Sequence, residues 1–159
     1  EFVSDSDDID DESVDVLVSF DTLEHVRKPL SFLKMMHRGL RVGGELYIGV
    51  PNSADFLKCL VPSYQGFFYH KSHLYYFDRD SLMYLTDRAG FVFSHLEYVH
   101  KYDIGNMISW VRHGKWAKDQ GCDVFDRVSN RSFASQLERQ GLASHILISC
   151  AKSKSGPEW

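Results

Sequence analysis

With 159 residues, 43% of them hydrophobic and 14% aromatic, the chain has the material for one domain with a real core. No apolar run is long enough to cross a membrane and no basic-then-apolar leader opens the sequence, so no membrane partner is expected. The net charge of −4 is unevenly placed: ten of the 22 acids lie in residues 1–26, before the first basic residue, Arg27. The basic remainder has neither an arginine cluster nor a basic–aromatic stripe, which sets nucleic acid aside as a partner. Cys59, Cys122 and Cys150 are odd in number and far apart. That pattern argues against a disulfide framework or a cysteine zinc site and for a reducing, cytoplasmic location.

In chain order, Phe2 and Val3 read as the end of a strand, and Asp5 to Asp11 as an acidic loop. Val14, Val16, Val18 and Phe20, interleaved with Asp15, Leu17 and Ser19, predict a strand. Pro29 suits the first turn of a helix. Leu30, Leu33, Met36 and Leu40 then recur at helical spacing, with Lys34, Arg38 and Arg41 left for solvent. Gly43-Gly44 is expected to end that helix, and Leu46 to Val50 to form a second strand stopped by Pro51. Two apolar strands joined by a helix within about forty residues make a βαβ unit, with parallel strands and a right-handed crossover. In such a sheet, ligands bind outside the carboxyl ends of the strands. Here those ends carry Asp21-Thr22-Leu23-Glu24-His25 and Pro51-Asn52.

Beyond Asn52, residues 54–60 read as a short helix and 61–66 as a loop. Phe67 to Phe77 is dense in aromatics and carries His70 and His73 three residues apart. That spacing suits a metal, but no third ligand is evident from it. Packing of a loop onto the sheet is the plainer reading for most of the aromatics. Asp78 suits a helix N-cap, with Asp80 in the first turn. Leu82, Leu85 and Ala89 give the buried stripe and Gly90 the stop. Phe91 to Tyr102 alternates as a strand. Met107, Ile108, Trp110, Val111 and Trp116 suggest one helix and 132–140 a second, stopped by Gly141, with loop over 121–127. Ser144 to Ala151 alternates as a final strand, antiparallel to its neighbours. Residues 153–159 read as a polar tail.

Four of these pieces also carry a resemblance. Asp15-Val16-Leu17-Val18-Ser19, Leu23-Glu24-His25-Val26, Leu40-Arg41-Val42-Gly43-Gly44 and Val50-Pro51-Asn52 follow one another as in the second half of a class I S-adenosylmethionine-dependent methyltransferase. Val42 stands where that family usually has Pro. The resemblance implies an α/β, Rossmann-like fold lacking its first strands: parallel strands, then an antiparallel edge pair, with a helical insertion at about 103–142 before the last strand. Residues 1–152 would form this partial domain. The family's Gly-rich turn and ribose-binding acid have no counterpart here, so the chain is expected to be the C-terminal portion of a longer enzyme.

The resemblance further implies S-adenosylmethionine as cofactor and a small-molecule methyl acceptor. Asp5, with Ser6 beside it, matches the acid that holds the adenine amino group; the alternative is a solvated acidic loop. Ser19, Phe20 and Asp21 would line the cofactor's methionine side. Glu24 and His25 start the turn beside it, as catalytic groups or as hydrogen-bonding supports for the loop. His73-Leu74-Tyr75-Tyr76-Phe77 resembles a segment that arches over the substrate side, which makes His73 the expected base. Two rival readings stand. One is a non-catalytic binding or oligomerisation module. The other is a metal site on Asp21, Glu24 and His25, whose spacing resembles the acidic motif of quinone-pathway O-methyltransferases. A nicotinamide-dependent enzyme has no fingerprint here. The strand edge left open by the absent first strands is expected to self-associate or to pair with the missing N-terminal half.

Overall fold

Strand β1 (Val14–Phe20), helix α1 (Pro29–Gly39) and strand β2 (Leu40–Pro51) form the βαβ unit, with β1 parallel to β2. The computed structural model describes residues 9–116 and 125–153. Helix α1 ends at Gly39, four residues before Gly43. The amides of Glu12 and Ser13 donate to the carbonyls of Arg38 and Gly39, so the entering chain satisfies the helix's last acceptors. Gly39 admits that chain, because a Cβ there would stand 2.3 Å from Ile9 Cγ2. Gly43 and Gly44 serve β2 instead of closing the helix. Pairing jumps from Val14↔Leu40 to Val16↔Glu45, and Gly43 takes the excursion at φ +82°. A Cβ on Gly44 would meet the Asp15 carbonyl at 2.9 Å. The pair is therefore a bulge that lets β2 rejoin β1.

After β2 come α2 (Phe56–Leu60), α3 (Pro62–Phe68), α4 (Arg79–Arg88), β3 (Phe91–Val99), α5 (Ile104–His113), α6 (Arg127–Gln140) and β4 (His145–Lys152). The sheet order is β1-β2-β4-β3, with β4 antiparallel to both neighbours. Residues 62–66 are helical where the sequence suggests loop, because Pro62 occupies the first turn and Tyr64 and Phe68 are buried. α6 starts five residues before the expected Ser132, since Asp126 caps it through the Ser129 amide at 2.7 Å. The capping box of Asp78 with Ser81 starts α4, and Gly141, left-handed, stops α6.

α1 and α4 cover one face of the sheet. Leu33, Met36 and Leu82 pack there with Leu46, Ile48, Val50, Ile146, Ile148 and Cys150. On the opposite face Val16, Val18 and Phe20 are about half exposed and Tyr47 nearly so, and among the described residues β1 has a strand on one side only. A second cluster of Leu57, Val61, Tyr64, Phe68 and Trp110 joins α2, α3 and α5. It stands above the strand ends. No helix among the described residues is long and apolar enough to cross a membrane. Cys59 is exposed and Cys150 buried, and both are free thiols; Cys122, like Phe2, Val3 and the tail from 154, lies outside the described residues.

Candidate active site at the strand ends

The carboxyl end of β1 is turned by Asp21, which sits at φ +47° while its amide donates to the Gly49 carbonyl at 2.9 Å. A left-handed Asp is uncommon. Its carboxylate is held from two distant elements: Lys101 Nζ donates to Oδ2 at 3.1 Å, and His145 Nε2 lies 3.5 Å from Oδ1. His145 Nδ1 meets the Ser144 hydroxyl at 2.9 Å. Burial, helped by the Lys101 charge, pushes His145 down to about 4, so it is neutral at pH 7. Lys101, Ser144 and His145 leave no motif in the sequence. Only the antiparallel placement of β4 beside β2 brings them here.

Leu23–His25 then form a single 3₁₀ turn with Leu23 and Glu24 buried. The lid segment between α3 and α4 is tied to this turn. Leu74 and Tyr75 donate their amides to the Glu24 carbonyl at 2.8 and 3.2 Å. His25 Nδ1 donates to the Ser72 carbonyl at 2.8 Å. The His25 and His73 rings meet edge-on, 4.7 Å between centroids. His25 Nε2 is 3.9 Å from Glu24 Oε1. Burial raises the Glu24 carboxyl above its ordinary value, against its own backbone hydrogen bond and the His25 charge. Burial, with His25 and His70, holds His73 below the ordinary imidazole value. Glu24 Oε2 and His73 Nδ1 are buried with no hydrogen-bond partner.

Asp21, Glu24, His25 and His73 line one cleft of about 380 Å³, with Tyr64, Phe67, Phe68 and Tyr102 among its walls. Asp55 also borders it, although its oxygens are engaged by the Leu57 amide and the Tyr64 hydroxyl. A capping position one residue ahead of α2 was the signal in the sequence for Asp55. Ser19 and Phe20 stand outside this cleft: Ser19 is buried, and Phe20 lies on the bare sheet face. Asp5 and Ser6 lie outside the described residues. Asn52 is a support. Its Nδ2 donates to the Gly141 and Ala143 carbonyls at 3.0 and 2.8 Å, and its Oδ1 accepts from the Ala54 amide at 3.0 Å.

Among the described residues, Glu24, His25 and His73 bring one ligand-type atom each within 4.8 Å of one another. His70, the other half of His-x-x-His, instead bonds the Ser72 hydroxyl through Nδ1 at 2.7 Å. Asp21 is turned toward Lys101 and His145. The described residues include no Gly-rich turn that would cradle a nucleotide.

A family model described as a methyltransferase domain matches residues 1–96. No curated protein matches the sequence. Among solved structures, a chain from the complex between the Haloferax volcanii Trm112 methyltransferase activator and a methyltransferase aligns at TM-score 0.59 and 16% identity, over 95% of this chain and 59% of that one. A Thermotoga maritima S-adenosylmethionine-dependent methyltransferase aligns at TM-score 0.55 and 19% identity, over 92% of this chain and 59% of that one. Phosphoethanolamine N-methyltransferase 2 of Haemonchus contortus, in complex with S-adenosyl-L-methionine, aligns at TM-score 0.52 and 12% identity, over 92% of this chain and 35% of that one. The chain thus spans well under two thirds of the length of these neighbours, and at such identities they show the Rossmann-like methyltransferase fold. The family match covers more than half of the sequence, and this chain belongs to the methyltransferase-domain family.

Proposed function

We propose that the strand-end cleft is the acceptor side of an S-adenosylmethionine-dependent methyltransferase acting on a small molecule. The observation that carries this reading is the convergence of Glu24, His25 and His73 on one cleft beside Asp21, at the carboxyl end of a parallel strand. Its size suits a small acceptor. When bound, S-adenosylmethionine supplies a methyl carbon on a sulfonium sulfur. That carbon would accept the lone pair of the acceptor atom, with sulfur leaving with the electron pair of the broken bond. This chain's part is alignment and exclusion of water. Tyr64, Phe67, Phe68 and Tyr102 exclude water. The lid, tied down through the Glu24 carbonyl, brings His73 to the cleft, and the acceptor's proton is received at the Glu24–His25–His73 face. His73, held neutral by burial, has an acceptor lone pair there.

Asp5, Ser6, Ser19, Phe20 and Asp21 stand in this reading on the cofactor side. Residues 1–152 form part of the catalytic domain, with the helical insertion over about 103–142 backing the acceptor cleft through Trp110, whose ring packs against Tyr64 and Phe67 of its wall. The bare face of β1 and β2 and the open β1 edge pair with a second polypeptide segment, either another copy or the rest of a longer enzyme. The H. contortus neighbour holding S-adenosylmethionine supports the cofactor, and the H. volcanii neighbour in a protein complex is consistent with pairing. Labelled-methyl transfer by the complete protein, assayed over small hydroxyl and amine acceptors, tests the reading. Cofactor binding with no methylated small molecule from any class would count against it.

A further inference from the structure

Two buried ligand-type atoms in this cleft have no partner, and the residues that carry them come together from different elements. Glu24, 2% exposed, leaves Oε2 unbonded, and His73 leaves Nδ1 unbonded. Leaving such atoms buried and unpaired destabilises the fold, so a fold that holds both has a reason to satisfy them. Between them stands His25. Its Nδ1–H is spent on the Ser72 carbonyl, which fixes the tautomer and leaves Nε2 as a free lone pair, 3.9 Å from Glu24 Oε1. An imidazole oriented by a backbone carbonyl through its other nitrogen is the usual support of a metal ligand.

We propose that Glu24, His25 and His73 bind one divalent first-row transition-metal ion of the Zn²⁺ type, which clamps the lid onto the end of β1. Atoms sharing a tetrahedral ion stand roughly 3.4 Å apart at ordinary bond lengths, so the present spread of up to 4.8 Å would have to close by a little over an ångström on loading. Two imidazoles and one carboxylate favour Zn²⁺, Co²⁺ or Fe²⁺ over Mg²⁺, which prefers oxygen and keeps its waters. Asp21 is not a ligand, because Lys101 and His145 hold it. That departs from the Asp21–Glu24–His25 set suggested by spacing, and the difference is His73, which no local spacing links to Glu24. The three residues leave a coordination position open on the cleft side. This inference rests on the proposed acceptor site for its role, but not for its existence: with the ion bound, the open coordination position, in place of the free imidazole lone pairs, would help the acceptor lose its proton.

The test is metal binding by the intact chain, read without any methyl transfer. Metal-stripped protein is titrated calorimetrically with Zn²⁺ and with Mg²⁺, and Co²⁺ loading is followed by its visible absorption. The expected result is one Zn²⁺ per chain, bound at least about 100-fold more tightly than Mg²⁺, with a Co²⁺ spectrum of low coordination number. Glu24→Gln, His25→Ala and His73→Ala should each weaken Zn²⁺ by about 10–100-fold or more, and His73→Cys should restore binding. Far-UV circular dichroism screens out unfolded variants, and the wild-type Co²⁺ spectrum decides the matter if all of them unfold. Unchanged binding in His73→Ala, loss of binding in Asp21→Asn, or Mg²⁺ bound as tightly as Zn²⁺ would overturn the proposal. Methyl transfer by metal-stripped protein at full rate would remove the ion's catalytic role and leave the methyltransferase reading intact.

Discussion

Tyr64 donates its hydroxyl to Asp55 Oδ2 across 2.9 Å, while the other oxygen of the fully buried Asp55 caps α2 through the Leu57 amide. One carboxylate thus starts a helix and anchors the aromatic wall of the cleft. Burial raises both the Asp55 carboxyl and, far more, the Tyr64 hydroxyl. Tyr64→Phe should cost about 2 kcal/mol of unfolding free energy, because it strands a buried acceptor. Asp55→Ala should cost more, since the cap goes too. Urea denaturation measures both, and a loss below about 0.5 kcal/mol for Tyr64→Phe would show that water replaces the hydroxyl.

Asn52→Ala removes both donors that hold the Gly141 and Ala143 carbonyls and the acceptor of the Ala54 amide. The expected loss is about 2–4 kcal/mol, with faster amide hydrogen exchange between α6 and β4. Preserved protection there would mean that the connection is held by other contacts.

His73→Ala in the complete protein should lower turnover about 100-fold or more while S-adenosylmethionine affinity changes less than about twofold. Single-turnover kinetics and calorimetry separate the two. An equal loss in cofactor affinity would assign His73 to lid structure alone.

Acid should destabilise the fold through neutral buried histidines. His100 and His145 are each pushed down to about 4, burial being the main cause in both. His100 Nδ1 accepts from the Ser144 amide, which a protonated ring cannot do. Between pH 4 and the unfolded value near 6.5 the unfolded chain binds more protons, so stability rises with pH. Their contribution is full above about pH 6.5 and is lost as pH falls toward 4. His37 and His73, also lowered by burial, act with the same sign. The Tm should fall steadily below pH 6.5, and His100→Gln should flatten the slope by about one proton. An unchanged slope would mean that His100 keeps its ordinary value.

The half-exposed Val16, Val18 and Phe20, on a strand whose outer edge is unpaired among the described residues, make association the expected state of this chain by itself. Light scattering should show species larger than one chain, and Val18→Glu should shift them toward monomer. A monodisperse monomer for the unaltered chain would show that the face tolerates water.

Much of the frame was local and therefore legible. Val14–Phe20 alternates, Leu33 and Met36 recur at helical spacing, Asp78 caps α4 and Gly141 stops α6, and each signal acts through residues adjacent in sequence. The Leu-Glu-His run at a strand end pointed to the cleft for the same reason. Gly43-Gly44 misled because the helix end is decided by Glu12 and Ser13 arriving from an earlier segment; a lone sequence window reads the glycines as a stop. The site's remaining members came from distance. Lys101 and His145 reach Asp21 across 80 and 124 positions of the chain only because β4 inserts between β2 and β3. His73 reaches Glu24 because a carbonyl on one turn accepts amides from the lid. Periodicity and capping are written in neighbouring residues, whereas the pairing of a charge, an imidazole and a lid is settled by which strands lie side by side.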